Sequence, residues 1–210
     1  MRDNALPRAD DELWRRTKPE LFHLPVNVSR NPLRVEGPGQ VYPGVTVVPL
    51  GKRLKALPLT RIDEGGNLRS HGLSAAIGEA AHGGYLVHIG RDAGAGTVVA
   101  VDAALVAGGD SVVRNLVVIE DGVEVTLVER IADEAQAGQT LSGTRIVVGR
   151  NATLDYRRYW TWHRRVYAEV DMEIGEGSEV KLSTLVEGSG VAKIEERFRL
   201  AGRGSSLDEL

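Results

Sequence analysis

The chain has 210 residues, 42% of them hydrophobic and 26% charged with both signs mixed, enough for one ordinary domain or a small cap plus a larger one. Its formal net charge of −3 argues against broad binding to nucleic acid or anionic membranes, because both need a basic face. The absence of cysteine excludes disulfides, a thiolate nucleophile, and any zinc or iron–sulfur site built on this chain's own thiolates. Met1 to Asp11 is polar and has no apolar core, so no secretory signal is expected there, and no run reaches the length of a membrane span. The expected compartment is the cytoplasm. High glycine, 25 residues, with only 5% aromatics suits many short strands joined by tight turns.

Asp10-Asp11-Glu12-Leu13-Trp14-Arg15-Arg16 reads as a short helical turn with acidic residues at its start, broken by Thr17-Lys18-Pro19. Val45 to Leu50 reads as an edge strand limited by Pro49, Gly51 to Leu57 as one or two helical turns, and Asp63 to Ser70 as a polar loop. The spacing of Leu73, Ala76, Ile77 and Ala80 predicts a helix over 71–81, ended by Gly83-Gly84. From Tyr85 the period changes to two. Two units follow, a mixed α/β segment over 1–84 and a β core over 85–210.

That core carries an internal repeat. Gly122-Val123-Glu124-Val125-Thr126-Leu127, Asn151-Ala152-Thr153-Leu154-Asp155-Tyr156, Gly177-Ser178-Glu179-Val180-Lys181-Leu182 and Gly204-Ser205-Ser206-Leu207 each open on a residue that tolerates a left-handed turn. A fainter copy opens at Gly94, so the starts fall at 94, 122, 151, 177 and 204. A near-constant step in this range marks a stacked, quasi-one-dimensional fold. Val166, Ala168, Val170, Met172 and Ile174 alternate with Tyr167, Glu169, Asp171 and Glu173, a strand with one dry and one wet face. Val112 to Ile119 and Ile146-Val147-Val148 are short apolar runs of the same kind. Such strands at such a step wind into a parallel β-helix. A sandwich shows no fixed repeat, and an α/β sheet needs helices between strands.

Chemistry-bearing motifs are sparse. No phosphate loop, nucleophile elbow or H-E-x-x-H occurs. His23, His71, His82, His88 and His163 are scattered, and metal sites need clustered ligands. Glu124, Glu129, Asp133 and Glu134 read as a solvated edge rather than as paired catalytic carboxylates, and Arg157-Arg158 and Arg164-Arg165 read as solvated strand faces. The strand from Tyr156 to His163 is aromatic and basic. In period two, Tyr156, Arg158, Trp160 and Trp162 share one face, while Arg157, Tyr159, Thr161 and His163 share the other. Such a strand suits single-stranded nucleic acid or a protein interface; the net acidity favours the latter, with Tyr156, Arg158, Trp160, Trp162 and His163 as candidate interface residues.

Several segments resemble one known family, in that family's order. Glu12 to Thr17 is similar to the E-x-W-R-x-T opening of the SufB/SufD core of iron–sulfur cluster assembly. Pro43 to Leu50 resembles its P-x-G-V-x-V-x-x-L segment, and Leu73 to Ile89 its A-x-x-x-x-G-x-x-V-H-V approach to the β-helix. Val117 to Glu129 is the most specific match, and Val148 to Tyr156 is similar to V-G-x-N-A-x-L-x-Y. The resemblance implies a mainly β protein, a right-handed parallel β-helix, a hand that the crossover rule also favours. It implies a non-enzymatic scaffold that works with an ABC-type ATPase (SufC-like) and a SufB-like subunit, or as a homodimer. An iron–sulfur cluster would be held only in such a complex. SufB-type chains carry a cysteine shortly after the segment ending at Glu129, where this chain has Arg130-Ile131-Ala132, so it resembles SufD more. Later coils of longer members carry cluster-associated histidine or cysteine, and their terminal helices bind the ATPase. Neither is found in these residues, so no cluster ligand is assigned. An open last coil predicts a partner, a capping pairing or a compact homologue. Two alternatives stand beside this reading, an interaction module with no cluster role and a carbohydrate-active β-helix enzyme.

Overall fold

A computed structural model describes residues 6, 17–30, 32–39, 41–50, 72–106, 108–135 and 137–210. The helical turn expected over 10–16, the turns over 51–57, the loop over 63–70 and His71 lie outside them. The described chain forms β1 (Leu33–Glu36), β2 (Val45–Pro49), α1 (Gly72–Ala80), β3 (Tyr85–Ile89), β4 (Thr97–Leu105), β5 (Ser111–Ile119), β6 (Glu124–Asp133) and β7 (Gln139–Val148). There follow β8 (Thr153–Trp162), β9 (Arg165–Ile174), β10 (Glu179–Gly188), β11 (Ala192–Leu200) and β12 (Ser206–Glu209).

Alternate strands stack into two sheets, β1-β4-β6-β8-β10-β12 and β11-β9-β7-β5-β3-β2. Every pairing from β3 onward is parallel, and the strands wind into a β-solenoid of about five turns. Along the first sheet, Thr97 pairs with Val125, Val125 with Leu154, Leu154 with Val180, and Val180 with Leu207. These are the steps read from the repeat. β1 and β2 run antiparallel to β4 and β3 and close the first coil, so the Val45 segment is an edge strand, as its proline demands.

The turns explain the repeat's opening residues. Gly122, Asn151, Gly177 and Gly204 all have φ between 52° and 75°. In the first coil the left-handed residue is Gly96 (φ 72°), two positions beyond the expected Gly94. Asp121 and Arg150, which precede two of these residues, also lock neighbouring coils. Asp121 Oδ1 accepts from the Arg150 backbone N–H at 2.8 Å, and its Oδ2 pairs with the Arg91 and Arg150 guanidiniums, each at 3.2 Å. These contacts, the backbone hydrogen bond foremost, hold the half-buried Asp121 carboxyl below its ordinary range.

The core is the lumen. Inward positions of both sheets, Val99, Val125, Leu154 and Val180 on the first and Val117, Ile146, Val170 and Met172 on the second, are 3% exposed or less and belong to one cluster. Helix α1 packs outside it, on the second sheet. Leu73 and Ile77 join Phe22, Val112, Leu141 and Tyr167 in a second cluster, with Ala76 and Ala80 at its margin. Gly143 makes the close approach possible, because a Cβ there would lie 2.6 Å from Ile77 Cγ2. The outer face of β9 is therefore not uniformly wet. Tyr167 and Glu169 are buried at the α1 side, where Glu169 Oε1 accepts hydrogen bonds from the Ser74 and Tyr167 hydroxyls, whereas Asp171 and Glu173 stay half-buried and pair with Arg145.

Two measurements check this description. Asn151→Val, a branched side chain at positive φ, should lower unfolding free energy in urea by about 1–2 kcal/mol, while Asn151→Gly leaves it nearly unchanged. Burial raises the Glu169 carboxyl above its ordinary range, against the hydrogen bonds from Ser74 and Tyr167. A carboxyl that keeps its proton more tightly when folded contributes stability at low pH and loses it as pH rises through the raised value. Wild-type stability should therefore fall as pH climbs above the usual carboxylate range, and Glu169→Gln should flatten that slope.

Candidate functional site

The parity of β8 brings the candidate residues together, but inside the lumen. Tyr156, Arg158, Trp160 and Trp162 are between 0% and 4% exposed, so their side chains form no surface. His163 is exposed, at the turn that follows. The outward set is Arg157, Tyr159 and Thr161. The sequence pattern fixed which residues share a face; the direction of that face is set by the neighbouring coils, whose inward rungs continue it. Tyr156 pairs with Leu127 and Leu182, Arg158 with Glu129 and Thr184, and Trp160 with Ile131 and Val186.

Glu129 is the hub. It is 2% exposed, and three donors converge on it: the Tyr85 and Tyr156 hydroxyls on Oε1, the latter at 2.8 Å, and Trp160 Nε1 on Oε2 at 2.8 Å. Burial and then the Glu129 charge push the Tyr85 and Tyr156 phenols well above the usual tyrosine range, so both stay protonated donors. One coil further, the Arg158 guanidinium donates to Thr184 Oγ1 (Nε, 3.0 Å) and to Glu196, which reaches across from β11. It also lies 4.9 Å from the Trp160 ring centre and 5.6 Å from that of Tyr156, within cation–π range. Trp160 and Trp162 meet edge to face at 5.8 Å. Arg158 Nη1 and Trp162 Nε1 have no hydrogen-bond acceptor among the described residues.

A second buried pair sits at the corner of the coils. Arg164 donates to Asp133 Oδ2 at 2.9 Å, to the Gly109 and Ala137 carbonyls at 2.7 and 2.9 Å, and to Ser111 Oγ at 2.9 Å. The acidic stretch is thus not a solvated edge. Glu129 and Asp133 are buried, while Glu124 and Glu134 are exposed, Glu134 reaching Arg34. The basic pairs are likewise split by parity and by the turn: Arg158 and Arg164 are buried, Arg157 and Arg165 exposed. The missed residues were Tyr85, Glu129, Thr184 and Glu196. For Glu129 a signal existed, because it is in phase with Val125, Leu127 and Ile131, the apolar positions of its strand.

Outside the lumen, His23 faces Asp110 at 3.0 Å and His88 faces Glu120 at 3.0 Å, while His82 contacts the Ala80 carbonyl. Among the described residues no three His, Cys, Asp or Glu side chains are placed to hold a metal ion, and no helix is long and apolar enough to cross a membrane. A groove along the stacked turns is lined by Arg91, Asp121, Arg150, Glu176 and Arg203, with the Asp121 carboxylate engaged by its two neighbouring arginines.

The fold and this interior define a class, a parallel β-solenoid with a polar, aromatic column in its lumen. Residues 104–209, just over half of the chain, match the family described as SUF system FeS cluster assembly, SufBD core domain, and the chain belongs to that family. Membership supports a role in iron–sulfur cluster assembly by the SUF system and implies partners within that pathway. No curated protein and no solved structure matches the chain.

The two arginine pairs give a contrast that double-checks the burial. Arg164→Ala, which strands Asp133 at 0% side-chain exposure, should cost about 3–5 kcal/mol in chemical unfolding. Arg157→Ala, whose partner Asp155 is outside, should cost less than about 1 kcal/mol.

Proposed function

We propose that this chain is a SufD-like, non-enzymatic scaffold subunit that supports iron–sulfur cluster biogenesis with an ABC-type ATPase of the SufC kind and a SufB-like subunit. The observation that carries the reading lies just after Glu129. Where SufB-type relatives place a cysteine, this chain places Arg130 and Ile131. Arg130 turns outward and grips Asp102 on the neighbouring coil through two nitrogens, at 2.5 and 2.8 Å, and Ile131 fills the lumen. The position is given over to holding coils together, and the sequence holds no cysteine. Iron and sulfide are then cargo of the assembled complex, bound through groups that a partner supplies. The cytoplasm is the compartment in which such a complex works.

Packing supports a scaffold rather than a catalyst. In the groove along the turns the Asp121 carboxylate is engaged by the Arg91 and Arg150 guanidiniums instead of facing a second carboxylate across an open cleft, the pair that glycoside hydrolysis needs. Co-expression with the ATPase and a SufB-like chain, then affinity recovery and native mass measurement, tests the proposal. A defined complex of the three chains is expected. Recovery of this chain alone, as monomer or homodimer, would reassign it to an interaction module without a cluster role.

A further inference from the structure

We propose that Glu169 and Glu195 form a divalent-cation site on the outer face of the second sheet, of the oxygen-only kind that takes Mg²⁺ or Mn²⁺, and that the ion fastens α1 to the solenoid. The two residues are direct partners on β9 and β11, so their Cα atoms stand about 4.8 Å apart on one face. Both are buried, Glu169 at 2% and Glu195 at 7% exposure. Two carboxylates so placed repel each other strongly unless something neutralises them.

Hydrogen bonding leaves most of their oxygens bare. Glu169 Oε1 accepts from the Tyr167 hydroxyl at 2.6 Å and from the Ser74 hydroxyl on α1. Glu169 Oε2 and both Glu195 oxygens have no hydrogen-bond donor among the described residues. The Lys193 ammonium lies 3.9 Å from Glu195 Oε1, too far to donate to it. Arg197 shares the face, but its charge lowers the Glu169 carboxyl less than burial raises it. Among the described residues α1 and β7 bring no further charge here, since Glu79 is exposed and the β7 partner of Glu169 is Gly143. A shared proton would join the two carboxylates by a hydrogen bond, and none joins them.

Three bare carboxylate oxygens, flanked by two hydroxyls, call for a hard cation. Such donors suit Mg²⁺ and Mn²⁺ rather than zinc or other thiolate-loving metals. One or two carboxylates with water completing the shell is the Mg²⁺ pattern, whereas Ca²⁺ takes about six to eight oxygens. Ser74 ties the site to the helix, because its hydroxyl holds the carboxylate that holds the ion. The ion needs both carboxylates ionised, so it displaces a proton from Glu169 and binds more tightly as pH rises.

Electron paramagnetic resonance of free Mn²⁺, titrated into the metal-free full chain, tests this. Wild type should take up one equivalent, which excess Mg²⁺ releases. Glu195→Gln and Glu169→Gln should each weaken uptake about tenfold or more, while Asp121→Asn, in the turn groove, leaves it unchanged. Mn²⁺ should also slow amide hydrogen exchange over Gly72–Ala80 in wild type and not in Glu195→Gln. Circular dichroism confirms that each variant is folded, and Glu195→Gln decides the matter if Glu169→Gln does not fold. No uptake by wild type, which would leave a proton to neutralise the pair, overturns the proposal. So does uptake that Glu195→Gln leaves unchanged, or uptake that does not alter exchange in α1.

Discussion

Everything in this protein depends on the register of a parallel ladder. Each coil hands its hydrogen bonds to the next with like positions stacked on like, so an inward residue has inward neighbours above and below it. A slip of one residue in any coil would turn its valines and leucines to solvent. The left-handed turns at Gly96, Gly122, Asn151, Gly177 and Gly204 prevent that by fixing where each strand of the first sheet begins. Asp121 adds a second lock by tying Arg91 and Arg150 across two coils.

The same rule that buries valine also buries whatever else falls in phase. Glu129, Asp133 and Arg158 occupy positions where aliphatic residues would pack without cost, and the structure compensates them in full view of one another. Glu129 gathers three donors, Asp133 meets Arg164, and Arg158 is held between Thr184, Glu196 and two aromatic rings. Buried ionic groups of this kind are weak arguments for stability, since apolar replacements often do as well. Their concentration along one column instead gives the lumen a chemical character that the outer faces lack. The outer face of the second sheet, by contrast, is dried by α1, which Gly143 admits to close packing.

Much was legible beforehand because it rests on local rules. The alternation in β9, the edge strand before Pro49, the helix bearing Leu73 and Ile77, and the near-constant step of the repeat each follow from backbone geometry and the period of one element. Parity also sorted Tyr156, Arg158, Trp160 and Trp162 onto one face. The error lay in assigning that face to a surface. Aromatic and arginine side chains are as much at home in an interface as in an interior, and composition does not separate the two.

What the sequence by itself determined is therefore the solenoid, its step, and which residues travel together. Which side of β8 is inside was decided only by tertiary structure, because both of its faces carry polar and aromatic residues and the choice depends on the residues one coil away. Tyr85 and Glu129 lie 44 residues apart, Arg158 and Glu196 lie 38 apart, and each pair sits on opposite sheets and meets only across the lumen. No local pattern encodes such meetings, since the ladder's register and the lumen's width bring them about together.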